Sequence, residues 1–180
     1  MEWFLIALAV LVVAVIVIYN RLVQARNRVD SSWSQVDVQL KRRYDLIPNL
    51  VETVKGYASH ERETLESVVE ARAAAQAAEG PEAQAEAENI LTSALRQLFA
   101  LAEAYPELRA APNFADLQTQ LSDTEDRIAV ARQIYNDTVL TYNNAVQTVP
   151  TNIVASITGF RPRAFFDAGP GADETPRVEF

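Results

Sequence analysis

Hydrophobic and polar positions divide the chain into one unbroken apolar block followed by a series of helical stripes. From Trp3 to Tyr19 the sequence WFLIALAVLVVAVIVIY carries no charge, and the first cation after it is Arg21. Such a run makes roughly 25 Å of helix at ~1.5 Å per residue, which is enough for a short single transmembrane span. Trp3 and Tyr19 stand at its two ends, where amphipathic rings favour the headgroup layers. Glu2 precedes the block and Asn20-Arg21 follow it, so neither the basic start nor the small-residue cleavage site of a secretory signal is present. Residues 1–20 therefore read as a retained anchor.

Beyond the block, apolar residues recur at steps of three and four. Leu22, Val29, Trp33, Val36 and Leu40, with Ala25 between, predict a helix leaving the membrane and reaching about Tyr44. Ile47, Leu50, Val51, Val54, Ala58, Leu65, Val68 and Val69 mark a second helix, which drifts into ARAAAQAAEG and stops at Gly80-Pro81. Ile90, Leu91, Ala94, Leu95, Leu98, Ala102 and Tyr105 mark a third. After YPELRAAPNF, with Asn113 as a candidate N-cap, comes a fourth carrying Phe114, Leu117, Leu121, Thr124, Ile128, Ala131, Tyr135, Thr138, Tyr142, Ala145 and Val149. That alternation is the seam of a coiled-coil-like bundle.

The stretch QVDVQLKRRYDLIPN, residues 35–49, interrupts the pattern with three cations and a proline. Four helices of matched length pack better than one long and two short ones, which favours a reversal between Tyr44 and Pro48, with Asp45 capping the second helix. The rival is a continuous, proline-kinked helix. A reversal there brings YDLIPN and YPELRAAPN to one tip remote from the bilayer, and makes Lys41, Arg42, Arg43, Tyr44, Asp45, Pro106, Glu107 and Arg109 candidate contacts for a protein partner. The expected organisation is all-α: an anchor at 1–20, an antiparallel four-helix bundle at 21–149, a short membrane-proximal helix with an aromatic and basic segment at 150–166, and a disordered tail at 167–180. In the third of these, Phe160, Arg161, Arg163, Phe165 and Phe166 join Trp3 and Tyr19 as candidate membrane-interface residues.

Composition narrows the chemistry. The chain has 180 residues, 49% of them apolar, with five glycines, as suits one helical domain with a real core. It has no cysteine and one histidine, so no thiolate or His-rich metal site and no cofactor is expected. A Glu-x-x-His di-iron motif is excluded because Tyr57 stands where the glutamate before His60 is needed. Glu63, Glu66 and Glu70 share a face that reads as solvated, and Ser31, Ser32 and Ser34 lack a partner base and an oxyanion signature, so enzymatic activity is not expected. A net charge of −8 opposes binding to nucleic acid. Arg21, Arg26 and Arg28 follow the span, which places the N-terminus outside and the bundle in the cytoplasm.

The stretches WSQVDVQLKRRYDLIPNLVETVKGYASHE, LFALAEAYPELRAAPNFADLQTQLSDTEDRIAVARQIYND and PTNIVASITGF resemble the LemA family of membrane proteins, over roughly residues 19–166. The resemblance implies a membrane-anchored four-helix bundle and offers no catalytic residues to carry over. Relatives associated with magnetosome membranes, and family members that accompany membrane proteases, point to adaptor or scaffold work at the cell membrane with the bilayer and a membrane or cytoplasmic protein as partners. The alternatives are a self-assembling, homo-oligomeric membrane organiser, and a ligand-sensing or accessory subunit of a membrane protease.

Overall fold

A computed structural model describes residues 1–166; the tail expected at 167–180 lies outside the described residues. Six helices follow one another: α1 (Glu2–Lys55), α2 (Arg62–Ala77), α3 (Pro81–Ala102), α4 (Pro106–Arg109), α5 (Pro112–Gln147) and α6 (Thr151–Thr158). There is no strand among the described residues, and the fold is all-α. The described residues group into two compact units, one formed by Met1–Val36 and Ala131–Phe165 and the other by Asp37–Val130 with Phe166.

The reversal expected at Tyr44–Pro48 does not occur. α1 runs through Pro48 without a break, and Asp45 is an exposed mid-helix residue rather than a cap. Proline has no N–H to give to the carbonyl one turn back, here that of Tyr44, and in a helix interior this costs about 3 kcal/mol or more. The orphaned oxygen is not left empty: Arg72 of α2 donates to it from Nε at 2.8 Å. A side chain from a neighbouring helix thus replaces the missing backbone donor, and α1 continues. The chain turns ten residues later, between Gly56 and Glu61, where the N–H groups of Gly56, Tyr57 and Ala58 close back onto Glu52 and Val54 (3.3, 3.0 and 2.8 Å).

In the unit built from Asp37–Val130, four helical segments surround one core. α1 contributes Leu40, Ile47 and Val54, α2 Val68 and Ala75, α3 Leu91 and Leu98, and α5 Phe114 and Leu121, all buried. Gly80, at φ 84°, turns the chain from α2 into α3, a backbone that a side chain would strain. Between α3 and α5 the short α4 plugs the end of the core with the fully buried Leu108. Tyr105, just before α4, donates to Glu61 at 3.2 Å, so the α4 segment neighbours the Gly56–Glu61 turn and not Tyr44–Pro48.

The other unit comprises α1 up to Val36, α5 from Ala131, α6 and the segment after it. Here the seam of α5 departs from strict alternation. Tyr135 is followed by Val139, Tyr142 and Val146 as the buried positions, not by Thr138, Ala145 and Val149, and Val149 is 78% exposed. Two successive steps of four, Ala131 to Tyr135 to Val139, form a stutter that locally unwinds a coiled-coil seam. The Trp33 and Tyr135 rings meet at 5.1 Å across this unit. α1 also holds an 18-residue window of mean hydropathy 2.7, none of it buried against the protein, the one helix among the described residues long and apolar enough to cross a membrane.

If Arg72 supports Pro48, the two are energetically coupled. Arg72→Met should lower unfolding free energy of the full chain in detergent by about 1–3 kcal/mol. In a Pro48→Ala background, where Tyr44 regains its own N–H partner, the same substitution should cost far less. Denaturation of all four variants measures this; additivity to within ~0.5 kcal/mol would show that the bond carries nothing.

Candidate functional site

Charged and polar side chains converge inside the four-helix unit. Arg43 and Tyr44 are adjacent on α1, and a helix turns them by about 100° relative to each other, so the pair spans the inward face toward both α2 and α3. Gln84 and Glu88 sit one turn apart on α3, and both are buried among apolar neighbours. Arg43 is 3% exposed; its Nη1 lies 3.2 Å from Glu88 and 3.0 Å from Glu125 of α5, and its Nη2 donates to Thr92 at 2.7 Å. The Tyr44 hydroxyl donates to the other Glu88 oxygen. Gln84 Nε2 donates to the Tyr44 oxygen at 2.8 Å and to the Ala75 carbonyl at 3.0 Å.

These groups satisfy one another. Removing the Glu88 carboxylate and the Arg43 guanidinium from water is tolerable only with complementary charge and filled hydrogen-bond positions, and the cluster supplies both, with the half-exposed Glu125 at its edge. Burial pushes the Glu88 carboxyl above its usual range, against the hydrogen bond from Tyr44 and the nearby Arg43, which pull it down. Burial, together with the hydrogen bond to Glu88 and its charge, drives the Tyr44 phenol far up, so it stays a neutral donor. The arrangement is a clamp that ties α1, α3 and α5 at one depth.

The positions proposed as partner contacts separate in the structure. Arg43 and Tyr44 are core residues, unavailable to a docking protein, because the helix that carries them continues instead of turning at the surface. Lys41, Arg42 and Asp45 are exposed on α1, while Pro106, Glu107 and Arg109 are exposed on and around α4, beside the Gly56–Glu61 turn. The two groups do not share one tip. Arg109 pairs with Glu103 at 3.0 Å on the surface. His60 is exposed in the turn after α1.

The membrane-interface candidates also divide. Trp3 and Tyr19 are exposed at 84% and 43%. Phe160 is buried instead, edge-on to Tyr19 at 5.8 Å and under the Arg26 guanidinium at 5.3 Å. Arg161 and Phe165 are exposed, Arg163 pairs with Asp30 at 3.1 Å, and Phe166 is buried at 2%. The backbone from Arg161 to Ala164 is held along α5: Tyr142 donates to the Arg161 carbonyl at 3.0 Å, Asn143 both accepts from and donates to Arg163 at 2.8 and 2.9 Å, and Tyr135 donates to Ala164 at 2.9 Å. Burial raises the phenols of Tyr135 and Tyr142.

Glu88, Gln84, Thr92 and Arg72 were not singled out from the sequence. A readable signal exists for two of them: Gln84 and Glu88 fall on the same helical stripe as Leu91, Leu95 and Leu98, where a polar side chain needs a buried partner. Two substitutions test the cluster. Arg43→Met strands a buried carboxylate and should destabilise the full chain by about 3–5 kcal/mol. Because the folded Glu88 carboxyl lies above its unfolded value, its contribution is complete below the ordinary carboxylate range of about 4.3 and is lost as pH rises through the folded value. The stability of the wild type relative to Glu88→Gln should accordingly fall with rising pH in that window. A difference that grows with pH would mean that the Arg43 charge outweighs burial.

A sequence profile described as the LemA family matches residues 32–180. Magnetosome protein MamQ of Magnetospirillum gryphiswaldense is 37% identical over 89 residues, 48% of this chain and 33% of that protein. Magnetosome protein MamQ 1 of Paramagnetospirillum magneticum is 37% identical over 86 residues, 48% of this chain and 31% of that protein. Protein LemA of Metamycoplasma hominis is 25% identical over 150 residues, covering 83% of this chain and 68% of its own length. The chain therefore spans about a third of the magnetosome relatives it matches. The family match, which takes in both the Arg43–Glu88 clamp and the Arg72-supported proline, shows that the chain belongs to the LemA family.

Proposed function

We propose that this chain is a single-pass membrane protein whose four-helix unit serves as an adaptor for a protein partner. One observation carries the reading: the side chains best equipped for chemistry in that unit, Arg43, Tyr44, Gln84 and Glu88, are turned inward and occupied by one another. What remains on the outside is apolar span, helix surface and turns. α1 is one helix that holds both the apolar window and residues of the four-helix core. Arg21, Arg26 and Arg28 after the span support a cytoplasmic placement with the N-terminus outside.

The contact surface we assign is the turn end of the unit. Pro106, Glu107 and Arg109 are exposed there. Nearby, an open groove of about 660 Å³ runs between α1 and α2, floored by Val51, Leu65 and Val69 and rimmed by Glu52, Lys55 and Arg62. An apolar floor between charges of both signs suits an amphipathic helix of a partner. A second reading, lateral self-assembly that organises a membrane, draws support from relatives named as magnetosome proteins.

Photo-crosslinkers placed singly at Val69, Arg109 and Arg42 in the full chain, in intact cells, separate these readings. Adducts with a different protein at Val69 and Arg109, few at Arg42, are expected. Adducts at Arg42 alone would put the surface in the wrong place, and adducts of the chain with itself would favour the self-assembly reading.

A further inference from the structure

α5 stops before Pro150, and α6 begins at once. Its start is tied to the last turn of α5, where the Thr151 hydroxyl meets the carbonyls of Ala145 and of Thr148, the latter at 2.8 Å. Its end is closed by Gly159 in the left-handed region at φ 78°, with the Phe160 N–H bonded to the Ala155 carbonyl at 3.0 Å. This is a Schellman-type stop, and it delivers the Phe160 ring onto Tyr19, the last aromatic of the apolar span. α6 therefore terminates at the depth where the span ends.

One face of α6 is internal: Val154 and Ala155 are 6% and 1% exposed. The opposite face bears two large apolar side chains, Ile153 at 56% and Ile157 at 79% exposed, with the small Ser156 beside them and Val149 next to them at 78%. No Asp, Glu, Lys or Arg occurs between Asp137 and Arg161, so nothing charged would have to be desolvated to bring this face into lipid. Arg161 follows at the edge, exposed.

We propose that Val149, Ile153 and Ile157 form a membrane-seated face, with α6 lying at the bilayer surface and its outer side in the boundary between headgroups and acyl chains. The inference rests on reading α1 as a span, and it moves the interfacial role away from the aromatic and basic segment that follows. That segment climbs away from the lipid: Ala164 is bonded to Tyr135, whose ring packs on Trp33. Trp33 lies roughly 21 Å beyond Tyr19 at ~1.5 Å per residue, too far for Phe165 to reach the headgroups.

The chain has no cysteine, which makes single-site labelling direct. Full-length Val10→Cys, Ile153→Cys, Ile157→Cys and Phe165→Cys variants, each carrying an environment-sensitive dye, are reconstituted in phosphatidylcholine and phosphatidylglycerol vesicles. Labels at 153 and 157 should be quenched several-fold more by shallow nitroxide lipids than by aqueous iodide, with the reverse at 165. The label at 10 should respond to deep nitroxide lipids. Iodide quenching at 153 and 157 equal to that at 165, with position 10 still in lipid, overturns the α6 assignment and leaves the span intact. Loss of lipid quenching at 10 removes the span and the α6 assignment together. Shielding of 153 and 157 from both quenchers means a protein covers this face, and that too overturns the proposal.

Discussion

A single hydrogen bond, from the Arg72 guanidinium to the carbonyl of Tyr44, fills the gap that Pro48 leaves in α1. Pro48 withholds the donor that this carbonyl needs, and a helix interior left with that defect kinks or ends. With Arg72 in place at 2.8 Å the defect is covered from outside, and the turn is deferred to Gly56–Glu61. The position of α2 follows from where that turn falls. So does the inward placement of Arg43 and Tyr44, since a helix that had ended near Tyr44 would have left both at an exposed corner.

The same geometry explains why the basic run LKRRY does not form one patch. On a continuous helix Lys41 and Arg42 face solvent while Arg43 and Tyr44 face the core, where Glu88, Thr92 and Gln84 receive them and the half-exposed Glu125 closes over Arg43 from the edge. A buried clamp of this sort adds little net stability over an apolar core but strongly penalises any packing that separates its members. Its best use is to fix the depth at which α1, α3 and α5 meet.

Much of the fold was legible in the period of the apolar residues. The long apolar N-terminal helix, the seam of α5 as far as Tyr135, and the Gly80-Pro81 turn all follow from local rules and are found where those rules put them. What was not legible depends on partners distant in sequence. Pro48 is a strong local stop signal, and the group that offsets it, Arg72, comes from another helix; the true turn at Gly56–Glu61 falls inside the run Ile47–Val69 that the apolar period presents as one helix. Likewise two seam positions of α5 after Tyr135 move by one residue, to Val139 and Val146, while Tyr142 stays in place, a change that a regular repeat does not foresee. The aromatic and basic segment looked interfacial by composition, yet its carbonyls are claimed by Tyr135, Tyr142 and Asn143, and these hold it along α5.

The course of α1 past Pro48 can be measured as a distance. Spin labels at Val38 and Glu52, both exposed, lie on one helix in this account and should be separated by roughly 21 Å along its axis, before adding the label arms. Pulsed electron resonance on the full chain in vesicles should give a single population at that separation or slightly beyond. A population centred near 10 Å, the spacing of adjacent antiparallel helices, would place the turn at Tyr44–Pro48 and contradict it.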